Sequence, residues 1–552
     1  TLKLQNPSGP RPGDKVVRRP RQSEISPVRT HVGRREVSVR GPTSPMMLVY
    51  SFFVVALIGA LLLSLPVSST EPGFMAPTGA LFTSISAMTG TGLIIVDTEE
   101  AWTVFGKVVI AVLIFIGGLG FMTGAAFLLL ITGRRSSLQG RLVVGAGLDD
   151  NRLGTIASLA RNIILMAIIV QIIGAVLIFI RWYIVTPIWP GITLEEGLWQ
   201  SAFTSISAFN NAGFEILPDK LIGGESLVGL TRDVPSLMII GTMILIGSSS
   251  YATLSNLVEF RGLNVGSLLS KTLLIGLGLL SALGFGAAIT MIGISRDIEI
   301  LEILGEVILT ATVGWAIIFY VMKFRKWALL SLDTKLVLVG IGLMLVIGLT
   351  SFLSLEWSNP NTIGNEPTVT KVTQGLFHTV NRTAGFSSVD YSQLHPSNTS
   401  ITEGLMFVGG VSASTAGGIK VSTLMVIIIA SFAIFSGKER TTVFGREIPR
   451  VNIHRAMAVA ATAMLALFLL VVALFIVQPD LEFRTAIFEV VSAFGTVGWS
   501  AGATPHLNEA AQVVISIAMF TGRFGPITIT LFMAGRERKD TIRYAGERIR
   551  IG

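Results

Sequence analysis

Apolar stretches long enough to cross a bilayer as a helix, which takes about 20 residues, recur along the chain with short polar interruptions. They run near 46–66, 107–132, 159–185, 234–258, 271–294, 300–322, 335–355, 404–435, 454–477 and 510–533. The pattern predicts an all-α polytopic membrane protein with about ten transmembrane helices. Between some of these stretches the polar interruption is itself a short helix-compatible run that ends in glycine. Ser86 to Leu93 reads SAMTGTGL, Ser207 to Phe214 SAFNNAGF, Thr379 to Phe386 TVNRTAGF and Ser492 to Trp499 SAFGTVGW.

The four turns fall between spans one and two, three and four, seven and eight, and nine and ten. That spacing predicts four copies of helix, re-entrant pore loop, helix around a pseudo-fourfold axis: residues 46–135, 156–262, 333–436 and 452–535. The intervals between the glycines are 121, 172 and 113 residues. The long middle interval holds two extra spans, read as an inserted hairpin over 263–325 that leaves the later orientation unchanged. Glycine reaches backbone angles closed to other residues and adds no side chain to a passage. The carbonyls of Thr89, Gly90, Thr91 and Gly92, of Asn210, Asn211, Ala212 and Gly213, of Arg382, Thr383, Ala384 and Gly385, and of Gly495, Thr496, Val497 and Gly498 are therefore expected to form a cage for a dehydrated cation. If each short helix enters from outside, its partly negative C-terminus points at that cage and favours positive charge there.

Composition fits this reading. Half of the residues are hydrophobic and only 14% are charged, a balance for a chain mostly embedded in lipid. There is no cysteine, which excludes disulfides and thiolate chemistry. The histidines, His31, His378, His395, His454 and His506, lack metal-ligand spacing and read as isolated surface or interfacial residues. Residues 1–45 carry ten Lys or Arg against three acidic residues and read as a disordered, basic cytoplasmic tail. Basic connections at Arg134, Arg135 and Arg141, at Arg261 and Lys271, at Lys323–Lys326, at Lys438–Arg455 and over the terminal segment 536–552 mark the cytoplasmic face, so both termini are expected inside. The opposite connections carry Asp97, Glu99, Glu100, Glu195, Glu196, Glu215, Asp219, Glu356, Glu366, Asp390, Asp480 and Glu482, which predicts an external, acidic mouth that concentrates cations.

Small residues cluster 25, 34, 24 and 24 positions after the four glycines, at Gly117–Gly120, Gly247–Ser250, Gly409–Gly418 and Gly522–Pro526. All four second helices are expected to weaken there, although at Gly120 and Gly124 close helix packing is the preferred reading. The third copy is extreme. Residues 409–423 read GGVSASTAGGIKVST, and glycine costs about 1 kcal/mol against helix continuation. Non-helical backbone at membrane depth survives only against protein or a water-filled cavity, so this segment reads as an intramembrane gate built from Gly409, Gly410, Ser412, Ser414, Thr415, Gly417, Gly418 and Lys420. Arg523 lies inside an apolar span and must face the bundle interior. Two roles are open to it: an electrostatic barrier to cations, or a donor that holds the loop's carbonyls. Lys420 fits either snorkelling to the cytoplasmic face or a place in the gate. Arg382 is expected to brace its turn through a carboxylate such as Glu489 or Asp390.

Together, SAFNNAGF, NRTAGF, SASTAGGIK, SAFGTVG and GRFGPIT resemble the Trk, Ktr and HKT superfamily of potassium transporters, most closely its bacterial Ktr and Trk membrane subunits, over about residues 46–535. The resemblance implies that Gly92, Gly213, Gly385 and Gly498 form a selectivity filter for the transported K+, that 409–423 is the gate, and that Arg523 lies in the pore. It also implies that glycine at position 92 accompanies potassium preference, since serine there accompanies sodium transport in some plant relatives. Homodimers in the cell membrane, seated on a cytoplasmic ring of nucleotide-binding regulatory subunits, are further implications; no organic cofactor and no nucleic-acid partner are expected. The basic tail, the inserted hairpin and Ser248–Ser250 in place of glycines depart from the simplest Ktr pattern. A sodium-coupled or sodium-permeable carrier is the competing reading. A membrane-embedded enzyme would need converging acid, base, nucleophile or metal ligands, and none is visible among the spans.

Overall fold

A computed structural model describes residues 45–71, 73–133, 152–222, 226–259 and 330–535. The expected basic tail apart from Pro45, spans 271–294 and 300–322 of the inserted hairpin, the connection holding Arg134, Arg135 and Arg141, residues 260–329 with Arg261, Lys271 and Lys323–Lys326, and the terminal segment 536–552 lie outside the described residues.

The described chain is mostly helical. The first half contains α1 (Pro45–Leu63), α2 (Pro77–Thr89), α3 (Val104–Gly133), α4 (Arg152–Phe179, extended by a π turn over Ile180–Val185), α5 (Leu194–Phe209), α6 (Val234–Ser248) and α7 (Tyr251–Glu259). The second contains α8 (Leu332–Glu356), α9 (Thr368–Asn381), α10 (Pro396–Phe407), α11 (Val421–Phe435), α12 (Arg450–Val477), α13 (Phe483–Gly495) and α14 (Glu509–Gly535). One small hairpin between α11 and α12 departs from an all-helical chain: β1 (Thr442–Val443) pairs antiparallel with β2 (Arg446–Glu447). Its turn residues Phe444 and Gly445 both have positive φ, as a two-residue hairpin turn requires.

Local chemistry sets several helix starts. Thr193 and Glu196 form a reciprocal capping box at α5, Asp233 caps α6 through the Ser236 N–H, and Ser331 caps α8 through Thr334. Each satisfies a donor that the first helical turn leaves open. Pro77, Pro235 and Pro396 sit in first turns, where a missing N–H costs nothing.

Polarity is turned outside in. On α12, Met464, Leu465, Phe468, Leu469 and Ile476 are exposed, whereas Ser84, Ser86, Thr89, Asn210, Asn211 and Gln374 on the short helices or at their ends are buried. Ala160–Val185, Leu332–Glu356 and Arg450–Val477 are long and apolar enough to span a bilayer. Shorter apolar helices are Val49–Leu63, Val104–Gly120, Val234–Ser248 and Val421–Phe435. Among lipid tails apolar transfer drives no further association, so close packing and interhelical hydrogen bonds hold such helices together at roughly 0.6 kcal/mol per bond. Ser84, eight residues before Gly92, donates to the Ala56 carbonyl at 2.6 Å, and Ser205, eight before Gly213, donates to Gln171 at 2.5 Å.

The short helices α2, α5, α9 and α13 fix the arrangement. Each packs against the long helix before it, α2, α5 and α13 also against the one after, and each also touches the second helix of the preceding group: α2 meets α14, α5 meets α3, α9 meets α6, and α13 meets α10. The contacts close on themselves. Four helix C-termini are thereby delivered to one centre.

Two expectations about the second helices need correction. Helices α3 and α14 run unbroken through Gly117–Gly120 and Gly522–Pro526. Only the second and third copies break, at Ser249–Ser250 and between α10 and α11. The glycines of the unbroken copies serve packing: a Cβ at Gly117 or Gly522 would lie within 3.0 Å of the Met88 or Phe494 carbonyl oxygen at the end of the adjoining short helix. Small residues there let two backbones touch.

Candidate functional site

The turns after α2, α5 and α13 use one hydrogen-bond scheme. Thr91, Ala212 and Val497 donate to the carbonyls of Ser86, Ser207 and Ser492, each at 2.9 Å, while Gly90, Asn211 and Thr496 donate to Ala87, Ala208 and Ala493. This six-to-one and five-to-two pairing ends a helix when the residue after it is left-handed. Gly90, Asn211 and Thr496 have φ of 63°, 54° and 50°. The Ser86 and Ser492 hydroxyls then accept the N–H of Gly92 and Gly498, both at 3.1 Å. The third turn differs. Asn381 replaces the serine device, accepting from the backbone N–H of Phe386 at 3.1 Å and donating to that residue's carbonyl.

Gly92, Gly213, Gly385 and Gly498 also have positive φ, at 87°, 69°, 71° and 103°. A Cβ on each would collide with a carbonyl of the next turn: Gly92 with Ala212, Gly213 with Ala384, Gly385 with Val497, and Gly498 with Thr91. The four turns thus form a closed ring of touching backbone, and both conformation and space demand glycine at these positions.

Directly against this ring lies the segment between Phe407 and Val421. Its ends are clipped together by Gly409 N–H to the Ile419 carbonyl at 2.8 Å, Ile419 N–H to Phe407 at 3.1 Å and Val421 N–H to Gly410 at 3.1 Å. Helix α11 begins at Val421, so the last three residues of the expected 409–423 segment are helical. The middle of the loop is bonded to two turns. Thr415 donates its hydroxyl to Asn211 Oδ1 at 2.9 Å, and Gly417 N–H donates to Thr496 Oγ1 at 2.9 Å. It is also bonded to the break after α6, where Val411 and Thr415 N–H donate to the Ser248 and Gly247 carbonyls at 3.0 and 3.2 Å.

Three buried cations hold the loop's carbonyls. Arg523, 1% exposed, donates to Thr415. Lys420 donates to Ala416 and Gly417 at 2.5 and 3.1 Å and is 6% exposed, so it does not snorkel. Arg382 donates to Leu405 at 3.2 Å, to Val408 and, at 3.4 Å, to Gly409. Carboxylate bracing of Arg382 is therefore corrected: the guanidinium grips the hinge of the loop. Glu489 instead accepts from Ser500 at 2.6 Å, the N–H of Ala501 at 2.9 Å and of Ala503 at 3.3 Å, and Thr504 at 2.5 Å. Asp390 caps its own turn through Ser392.

His378 is likewise corrected. It is buried, stacked on Trp499 at 4.9 Å with an 8° interplanar angle and on Phe352 at 4.5 Å. Among the described residues no group of His, Asp and Glu could hold a metal ion.

On the face expected to be external, many carboxylates are paired or structural. Glu100 meets Lys220 at 2.6 Å, Glu366 meets Arg232 at 2.8 Å and Glu99 meets Lys107 at 3.5 Å; Glu356 is buried among Asn359, Thr362, Asn398 and the His395 N–H. Glu215, two residues beyond Gly213 and half-buried, is distinct. Burial, opposed by the Leu217 N–H and reinforced by Asp219, Asp97 and Glu99, raises its pKa to about 8.

Residues 26–542 match the family model described as "TrkH: Cation transport protein". The chain belongs to the TrkH family. This TrkH-family chain is 35% identical over 503 residues to the Ktr system potassium uptake protein B of Bacillus subtilis (strain 168), covering 91% of this chain and 95% of that one. It is 31% identical to the protein of the same description in Vibrio alginolyticus, covering 94% and 97%, and 30% identical to the potassium/sodium uptake protein NtpJ of Enterococcus hirae, covering 93% and 98%. Its fold is similar to the crystal structure of the potassium transporter TrkH from Vibrio parahaemolyticus, with a TM-score of 0.61 at 15% identity over 91% of this chain and 86% of that one. TrkH-family proteins are membrane-embedded, multi-pass transporters rather than enzymes.

Proposed function

We propose that this TrkH-family protein takes up potassium across the cell membrane through a channel-like pore, with the ring of glycine turns as its selectivity filter and the segment between Phe407 and Val421 as its gate. The observation that carries this is the ring itself: each of four glycines, 113 to 172 residues apart in the intervals between them, touches the carbonyl of the next turn and no other side chain fits. Carbonyls at the ends of four converging helices replace the hydration shell of K+, and the helix ends favour its charge. Four pore repeats with the additional hairpin over 263–325, about ten spans in all, and cytoplasmic termini are the architecture this mechanism implies.

Closure is local. Arg382, Lys420 and Arg523 donate to loop carbonyls, satisfying groups that would be costly to leave bare in a dry site and placing positive charge on the conduction line. Opening exchanges these bonds for water. A homodimer governed by a cytoplasmic ring of nucleotide-binding subunits is part of the same reading, since this family's uptake proteins named as parts of a Ktr system are its relatives. The relative named as a potassium/sodium uptake protein favours a second reading, in which Na+ also permeates.

Flux into liposomes holding the purified chain tests both. Potassium and rubidium influx exceeding sodium influx, with discrimination weakened by Gly92→Ser, is the expected result; unchanged ion ranking in that variant counts against the filter assignment. Deletion of Ser412–Gly417 is expected to raise flux, and an unaltered rate counts against the gate.

A further inference from the structure

The residue two positions before each glycine has a second task in two of the turns. Asn211 and Thr496 are the left-handed residues that end α5 and α13; asparagine adopts left-handed backbone more readily than most residues, but for a β-branched threonine it is a true outlier. Such conformations persist where surrounding contacts over-determine them. Here the loop adds contacts to the turns' own hydrogen bonds. Asn211 accepts from Thr415 at 2.9 Å and donates to Thr383 Oγ1 of the third turn at 2.8 Å, and Thr496 accepts the Gly417 N–H at 2.9 Å. All five residues are buried. Arg382, itself within the third turn, grips the loop's hinge at Leu405, Val408 and Gly409.

We propose that the loop is a structural member of the ring as well as its plug: Asn211 and Thr496 are positioning residues through which loop closure fixes turn geometry, so that loop opening and ion discrimination are energetically coupled. The inference rests on the filter and gate reading above and deepens it. Withdrawing the loop removes the partner of Asn211 Oδ1 and of Thr496 Oγ1 at once, freeing two left-handed residues that immediately precede ring carbonyls. Coupling is reciprocal. An ion that fits the ring therefore holds the loop closed more firmly than one that does not.

Two readouts on the full chain in liposomes test this. Thr415→Val and Thr496→Val keep shape but remove the hydroxyl, and with the loop seated each should lower the ratio of K+ to Na+ binding affinity about fivefold, the low end of typical site-to-site coupling, while Thr496→Ser retains the wild-type ratio. Thr415 is outside all four turns, so a plug without coupling predicts faster flux at an unchanged binding ratio, and that result overturns the proposal. The second readout needs no loss of a bond. Because the chain has no cysteine, Ser412→Cys places a single thiol on the partly exposed side of the loop, and its modification should be slower in K+ than in Na+, with the difference abolished by adding Thr415→Val. Equal modification rates in the two ions overturn the proposal. Wild-type liposomes without K+ influx would instead overturn the potassium reading itself.

Discussion

Arg523 donates to the carbonyl of Thr415, a residue 108 positions earlier in the chain whose hydroxyl is simultaneously bonded to Asn211 beside the ring. A single loop residue thus lies between α14 and the second turn. The two roles open to Arg523, barrier and carbonyl donor, separate by substitution. A hydrogen bond from a charged donor contributes about 1.5–3 kcal/mol, and about 1.4 kcal/mol is tenfold in an equilibrium. Arg523→Gln is expected to raise basal K+ flux by at least about tenfold on that scale, with Arg523→Lys intermediate because charge remains but the fork geometry is lost. A lysine variant indistinguishable from wild type would assign the effect to charge alone.

Gly385→Ala should, like Gly92→Ser, weaken ion discrimination, and it should lower flux. The glycine has φ +71°, and the added methyl meets the Val497 carbonyl. Strain of this kind costs about 1–3 kcal/mol before any clash, so the melting temperature in detergent should fall together with flux. Full flux with an unshifted melting curve would contradict the ring geometry.

External pH should modulate uptake through Glu215. Its pKa is raised to about 8 by burial and neighbouring carboxylates, so the group is largely protonated below that value and its negative charge appears as pH rises through it. Uptake at limiting K+ should therefore increase between external pH 7 and 9, because a carboxylate near the mouth attracts cations, and Glu215→Gln should flatten the increase. A slope identical in the variant would remove Glu215 from the entry path.

Glu489→Ala should destabilise the protein without changing ion ranking. The carboxylate accepts from four donors of the 500–504 segment, and each buried donor left bare costs about 1–3 kcal/mol. Thermal unfolding in detergent checks the first part and the K+/Na+ influx ratio the second.

Much of this was legible in sequence because its signals are local. Gly92, Gly213, Gly385 and Gly498 stand out since one residue type alone suits a left-handed turn in crowded backbone, and the serines that open three of the four motifs are the ones that close the turns. The glycine run from Gly409 marked non-helical backbone for the same reason. What stayed hidden depends on distant partners. Nothing near Arg382 indicates that it reaches Val408 rather than a carboxylate, and His378 is buried by Phe352 and Trp499, which are distant from it in the chain. Small residues at Gly117 and Gly522 are ambiguous by nature: a weak helix and a closely packed one have the same composition, and only the adjoining carbonyls of Met88 and Phe494 decide between them.

Locating the ion tests the central claim most directly. Anomalous diffraction from crystals of the protein grown with Rb+ or Tl+ should show density on the axis enclosed by Gly92, Gly213, Gly385 and Gly498, reduced when Na+ replaces them. Ion density confined to other parts of the molecule, with that axis empty in saturating Rb+, would contradict the account.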